Sequence, residues 1–436
     1  MRDVLVVSPI FPPSNAADMH RVRASLPHFA GCGWQARVLA IRPEALEVSD
    51  TEELLNQVVP PETEVRRVGA MPVRFTRRWG LGAPGLRALP QLLQAGSRWI
   101  RERRPDLVYF STTQFPVMVL GSYWRRRFGV PFVVDIQDPW ITGVRTVCPD
   151  QVAPLKHRVM RFLHRRMEPR VMAATSGLVS VSEQFVRALQ DRYPRLAHRP
   201  SRIVRFSVAE SDFGLLARHP QHNPFFVRGD GCWHGAYVGR GGHNIEPSLH
   251  IFFRAWRRGL TEEPALFERV RLHFIGTDYA PVGREKKTVE PIARQYGLEA
   301  WVQEVPLRQP YFTALQVLHD AHFIAVPGSM EPEYAASKLC ACILARRPVV
   351  ATFHEPSSAV GLLRGTRAGD VVAFGDPPDT DRLAGELRVV WGRWLKRLPA
   401  EPPTDWAAFE PFSARSTTAQ QCALFDEVLG EHTRHG

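Results

Sequence analysis

Short, mainly apolar runs recur along the chain, and an amphipathic segment of helical length follows each of them. Runs such as residues 4–10 and 132–136 show no polar alternation. Both of their faces must be buried, as in a parallel sheet covered by helices on both sides. The first series comprises residues 4–10, 35–41, 107–111, 132–136, 178–181 and 203–206. Its helical segments include 17–29 and a long one at 152–174, which sets Val159, Phe162 and Leu163 among basic side chains. A stretch without pattern, 207–231, contains Pro220 and Pro224 and reads as a linker. The alternation then restarts at 235–238, 270–275, 302–305, 323–326, 349–352 and 371–374. A length of 436 residues exceeds one ordinary core and suits two. The expected fold is α/β: two doubly wound Rossmann-like domains, 1–207 and 208–403, with an amphipathic segment at 414–429 carrying 404–436 back onto the first.

The charge is uneven. Residues 1–200 hold 29 Lys/Arg against 17 Asp/Glu, whereas residues 201–436 hold 27 of each, so the net +12 lies in the first half. Much of it sits in Arg66, Arg67, Arg74, Arg77 and Arg78, in Arg101, Arg103 and Arg104, in Arg125, Arg126 and Arg127, and in 156–170. Such a field attracts something acidic, whether phospholipid head groups, a pyrophosphate-linked acceptor or nucleic acid; ordinary solvated arginine is the plain alternative. No apolar run approaches the ~18 residues of a membrane-spanning helix. Met1 leads directly into an apolar run without a basic leader, so no secretory signal is expected. The six cysteines are scattered without a Cys-x-x-Cys pair, which gives no zinc or disulfide signature and suits a cytoplasmic protein.

In open α/β sheets ligands bind beyond the carboxyl ends of the strands, so the loops after the apolar runs hold the candidates. After the first run come Pro12 and Pro13, then Ser14 and Asn15, either able to cap the next helix and turn its amides towards an anion, with Arg21 one turn on. After 132–136 come Asp138 and Trp140. A carboxylate can orient a sugar hydroxyl and an indole can pack on an apolar sugar face; Asp135, inside the strand, suits a structural partner. Gly239, Arg240 and Gly241 follow the first run of the second series, where glycine admits a phosphate and arginine binds it bidentately. The richest stretch runs from Pro327 through Glu331, Glu333, Ser337 and Lys338. There an acidic loop precedes a helix expected to begin near Ser337, a fitting cradle for a diphosphate.

Taken in order, these motifs resemble the family 4 glycosyltransferases, a GT-B group that includes many bacterial polysaccharide enzymes. Pro12-Pro13, Asp138-Pro139-Trp140 and Val179-Ser180-Val181-Ser182-Glu183 carry the likeness in the first half. Tyr237-Val238-Gly239-Arg240, Phe274-Ile275-Gly276, and Ser337-Lys338-Leu339 with Arg347-Pro348-Val349-Val350 carry it in the second. The resemblance implies a GT-B fold with its two domains facing across a cleft, and transfer of a sugar from a nucleotide-sugar donor to a glycan or lipid-linked acceptor. It implies retention of anomeric configuration and neither metal nor cofactor beyond the nucleotide-sugar co-substrate. Donor contacts would fall to Gly239, Arg240, Gly241, Gly276, Ser337 and Lys338, acceptor contacts to Ser14, Asn15, Arg21 and Trp140, and catalysis to Asp138 and Glu333. Three positions depart from the family. The ribose-binding glutamate expected at 341 is Ala341, the glycine usual before the Arg-Pro pair is Arg346, and no lysine partners Arg240. Two other readings therefore stand: an inactive relative that binds a glycan or partner, and a GT-B nucleotide-sugar epimerase. A place in cell-surface polysaccharide synthesis, peripheral on the inner face of the plasma membrane and without nucleic acid, completes the expectation.

Overall fold

In the computed structural model, which describes residues 1–46, 51–76, 81–141, 155–280, 283–331 and 338–435, both series of apolar runs form parallel sheets. The first sheet contains β1 (Arg2–Val7), β2 (Trp34–Ile41), β3 (Glu64–Val68), β4 (Leu107–Ser111), β5 (Phe132–Ile136), β6 (Gly177–Ser180) and β7 (Ser201–Ile203), ordered β3-β2-β1-β4-β5-β6-β7. The second contains β8 (Trp233–Val238), β9 (Val270–Ile275), β10 (Val302–Val305), β11 (Phe323–Pro327), β12 (Val349–His354) and β13 (Gly369–Phe374), ordered β10-β9-β8-β11-β12-β13. Strand order reverses between β1 and β4, and again between β8 and β11. Those are the two switch points at which such sheets bind ligands.

The chain divides into two compact units, Met1–Val208 with Ala414–Gly436, and Ala209–Ser413. In the first, the sheet is buried on both faces. Leu5, Val7, Phe110, Phe132 and Val134 pack with Trp99 and Trp124 on one side. Val4, Val6, Tyr109 and Val133 pack on the other with Phe425 and Val428 of the C-terminal helix Ala414–His435. Phe425 lies 5.4 Å from the Trp34 ring and 5.0 Å from that of Tyr109. The helix comes so close to β6 that a Cβ on Gly177 would stand 2.7 Å from Val428 Cγ2. The return to this unit begins at Ala414 rather than at 404. Residues 405–412 stay on the second unit, where Asp405 N–H donates to the Thr366 carbonyl at 2.7 Å and Phe409 is buried.

Two other expectations shift. The stretch 207–231 is no plain linker: it holds the helix Glu210–Arg218, whose Asp212 is buried and accepts the Tyr311 hydroxyl at 2.7 Å. The long helix is Leu155–Ala174; residues 152–154 lie outside the described residues. The second unit is cored by Phe252, Phe253, Trp256, Phe323 and Trp391. Beside that core His234 Nδ1 stands 3.0 Å from His273 Nε2, and His322 Nδ1 accepts the backbone N–H of His234 at 3.0 Å. Burial holds the His273 and His322 imidazoles down at about 4. No described helix is long and apolar enough to cross a membrane.

Candidate functional site

The loops beyond β8, β9 and β10 are knitted together from below. Glu304, buried in β10, accepts four hydrogen bonds: from Thr277 Oγ1 at 2.6 Å, and from the backbone N–H groups of Thr288, Val289 and Glu290 at 3.0, 2.8 and 2.9 Å. Thr288 Oγ1 in turn accepts the N–H of Gly242 at 3.1 Å, and the N–H of Gly241 donates to the Thr277 carbonyl at 2.8 Å. One carboxylate thus fixes the loop after β9 directly and, through Thr288, the loop after β8, since a buried acceptor is stable only when its lone pairs are filled. The glycines are sterically required. A Cβ on Gly241 would meet Thr288 Oγ1 at 2.5 Å, and one on Gly239 would meet the Tyr237 hydroxyl at 2.6 Å. Gly242 and Gly276 have φ of +97° and +71°, a left-handed conformation natural to glycine.

On this rigid base the charged groups remain open. Arg240 is exposed, its backbone carbonyl tied to the Tyr237 hydroxyl at 2.8 Å and its guanidinium 5.6 Å from the exposed Tyr279 ring. Asp278 accepts the N–H groups of Lys286 and Ala280, and the Lys286 bond leads in holding its carboxyl below the usual range. From the loop after β11, Glu331 accepts a hydrogen bond from Asn244 at 3.3 Å, and Met330 N–H donates to the Asn244 carbonyl at 3.0 Å, which joins this loop to the one after β8. Lys338 is exposed and occupies the position just before the helix Leu339–Leu344. Glu333 and Ser337 lie outside the described residues. Ala341 is buried in that helix between Cys340 and Cys342, whose thiols burial pushes up to about 12. A carboxylate at 341 would meet the same dehydration. Arg346, in the family's glycine position, has φ +56° and stands 5.1 Å over the Trp406 ring.

The first unit uses its strand-end polar groups differently. Arg21 is no free acceptor-binding side chain: it is buried, paired with Asp135 at 2.9 Å, and donates to the Val204 carbonyl at 2.8 Å. Asp135 also accepts from Ser111 Oγ and Gln137 Nε2, both at 2.8 Å. Ser14 and Asn15 do not cap the next helix, which starts at Met19 with Asp18 in the capping position. Both are buried, and Asn15 Nδ2 donates to Glu52 at 3.4 Å. The Asp18 carboxylate turns instead to Thr112 Oγ1 at 2.9 Å and to Thr113 N–H at 3.1 Å; burial raises its carboxyl against those bonds. Trp140 is buried with its ring stacked on Phe115, centroids 5.4 Å apart, so its face is covered by protein rather than open to a sugar. Asp138 alone among these residues is exposed; dehydration by its surroundings, then the charge of Asp18, raises its carboxyl above the ordinary range. Thr112, Thr113, Thr277 and Glu304 were missed by sequence reasoning. The usable signal for Glu304 was an acidic residue at an inward position of β10, two residues on from Val302. Among the described residues no cluster of three His, Cys, Asp or Glu could hold a metal ion.

The architecture is shared with solved structures along nearly the whole chain. Anabaena Alr3699/HepE, solved in complex with UDP and glucose, is 16% identical with a TM-score of 0.57, covering 98% of this chain and 100% of that one. The α,α-trehalose 6-phosphate synthase of Burkholderia multivorans is 14% identical with a TM-score of 0.62, covering 100% and 98%. A glycosyltransferase from Rickettsia africae is 12% identical with a TM-score of 0.56, covering 98% of each chain. The fold is therefore GT-B. Residues 20–207 match the family model described as Glycosyl transferase 4-like domain. No curated protein matches the chain.

Proposed function

We propose that the chain is a glycosyltransferase whose second unit binds a nucleotide-sugar donor. The observation that carries this is the cradle beyond β8–β10: a loop clamped through Thr277, Thr288 and Glu304 that leaves the Arg240 guanidinium uncovered. The similar fold of Alr3699/HepE, solved with UDP-glucose, supports it. Negative charge develops on the departing diphosphate. Arg240 and Lys338 would stabilise it there without a metal, because a fixed cation aimed at developing charge costs no reorganisation. Asp138 is the one exposed candidate of the first unit, and its raised carboxyl suits proton exchange with an acceptor hydroxyl. The family resemblance adds retention of configuration. By the same resemblance Glu333, outside the described residues, would act near the hexose.

We assign the acceptor to a lipid-linked glycan of a cytoplasmic membrane face. The support is a face of the helix Leu155–Ala174 where Arg158, Arg161, Arg165 and Arg166 surround Phe162, whose side chain is 58% exposed and lies under Arg166 at 4.9 Å. An exposed aromatic ring among cations at helical spacing suits a peripheral contact with anionic lipid.

The test is transfer from labelled UDP-sugars to a polyprenyl-pyrophosphate glycan, with the anomeric product read by NMR and vesicle flotation run in parallel. Transfer with an acid limb of kcat/KM above the ordinary carboxylate range, lost in Asp138→Asn, supports the assignment. Failure to bind, hydrolyse or transfer any nucleotide sugar overturns the enzyme reading. Flotation with neutral vesicles equal to that with anionic ones overturns the membrane reading alone.

A further inference from the structure

At the amino end of β13 four arginines converge on one concavity of about 450 Å³: Arg364, Arg367, Arg393 and Arg397, around the half-buried Asp370 and the buried Trp394. The half of the chain that contains them carries no net charge, so the concentration is local. Asp370 accepts the Trp394 indole N–H at 2.6 Å and pairs with Arg393 at 2.7 Å, which fixes that guanidinium at the rim. Arg367 is in loose contact with Asp405 at 3.5 Å. Among the described residues neither Arg364 nor Arg397 forms an ion pair, which leaves an excess of two positive charges facing the same hollow.

A plainer account is available for two of the four. Arg364 and Arg393 lie in the last turns of the helices Ser358–Thr366 and Thr380–Leu395, where a cation offsets the helix dipole. It does not cover Arg367 and Arg397, which lie beyond the helix ends. Nor does it explain why Arg367 holds the left-handed conformation, φ +53°, at the helix terminus where glycine is the usual residue. A bulky side chain there is strained, and its position sets a third guanidinium on the rim.

We propose that this hollow binds a phosphate monoester of hexose-phosphate size. The charge agrees, since a monoester carries about −1.5 to −2 near neutrality and the rim offers two uncommitted guanidiniums. The shape of the groups agrees as well, because guanidinium forks grip phosphate oxygens in pairs. The hollow is large enough for a small ligand. It is separate from the donor cradle. The strands are parallel, and the cradle follows the carboxyl ends of β8–β10 whereas the arginines cluster at the amino end of β13. A free sugar phosphate and a phospholipid headgroup present the same chemistry.

The experiment uses the full chain carrying Arg240→Ala and Lys338→Ala, so that the donor cradle does not contribute. Glucose 6-phosphate is titrated by calorimetry at constant ionic strength in chloride, and vesicles containing phosphatidic acid are tested by flotation. One site is expected, at least tenfold weaker in R364Q/R397Q. Arg367→Gly should weaken binding while leaving Tm unchanged or higher, because it removes strain together with the charge. That opposition separates a lost ligand contact from a damaged fold. Binding of the ester assigns a soluble ligand. Binding of the vesicles alone, lost in R364Q/R397Q, assigns a headgroup. No binding of either at millimolar phosphate, equal protection by chloride, or undiminished affinity in R364Q/R397Q overturns the proposal.

Discussion

The two units are built alike and use the loops beyond their strands in opposite ways. In the first, Arg21, Asp135, Asp18, Ser14, Asn15 and Trp140 are all buried, and the charged ones are held by bonds within the protein. In the second, the buried Glu304 holds the loops while Arg240 and Lys338 stay exposed. The same topological position is thus a strut in one unit and an open hand in the other. Strand-end placement says where a ligand can bind; only burial says which side chains remain to bind it.

The largest effect expected from this contrast is in the first unit. Asp135→Ala leaves the Arg21 guanidinium buried without its partner and should cost about 3–5 kcal/mol in urea unfolding, while Arg240→Ala should change stability by under about 0.5 kcal/mol. Equal costs would break the comparison. Next comes acid. His273 and His322 bind their proton near pH 4 in the native state and near 6.5 unfolded, so the unfolded chain holds more protons between those values. Their stabilisation is complete above about pH 6.5 and is lost as pH falls towards 4, by up to about 3 kcal/mol for each imidazole. Thermal unfolding across that range checks it, and His322→Gln should flatten the slope.

The third expectation concerns the open cradle. Arg240→Ala and Lys338→Ala should each weaken nucleoside diphosphate binding by about 1.5–3 kcal/mol with unchanged Tm; unchanged affinity in both would misplace the site. Smaller still is the ribose preference. Ala341 offers no acceptor, so discrimination against a 2′-deoxy nucleotide should be under tenfold unless another group supplies it. Because position 341 is buried among raised thiols, Ala341→Glu should lower Tm rather than tighten binding. Tighter binding in a titration would show instead that the pocket reaches this helix. Smallest is Arg346→Gly, which relieves a left-handed residue and should raise stability by up to about 1 kcal/mol.

Buried strands were readable because both faces demand apolar residues: β4, β5, β11 and β12 fall where the apolar runs lie. β3 was not, because an edge strand may carry charge. Its Glu64, Arg66 and Arg67 break every apolar pattern, and Arg66 lies over the Trp99 ring at 4.3 Å. The loops of the second unit were legible through their glycines, whose need is local. Those of the first misled. Arg21 and Asp135 are 114 positions apart, and nothing in either neighbourhood announces that they pair. The odd residue at 346 was legible as a departure, and its positive φ supplies the reason the family favours glycine there.

The C-terminal helix has a consequence for synthesis. A ribosome makes Ala209–Ser413 in one stretch, so that unit can close while the chain is still growing. The first unit cannot, because the face made by Phe29, Trp34 and Tyr109 waits for Phe425. Roughly the first two hundred residues therefore emerge with an uncovered apolar face and keep it until the segment around Phe425 has been made. A stop codon placed after Ser413 would leave an intact second unit tethered to a sticky, unfinished first one, a product for chaperones and proteases rather than for catalysis.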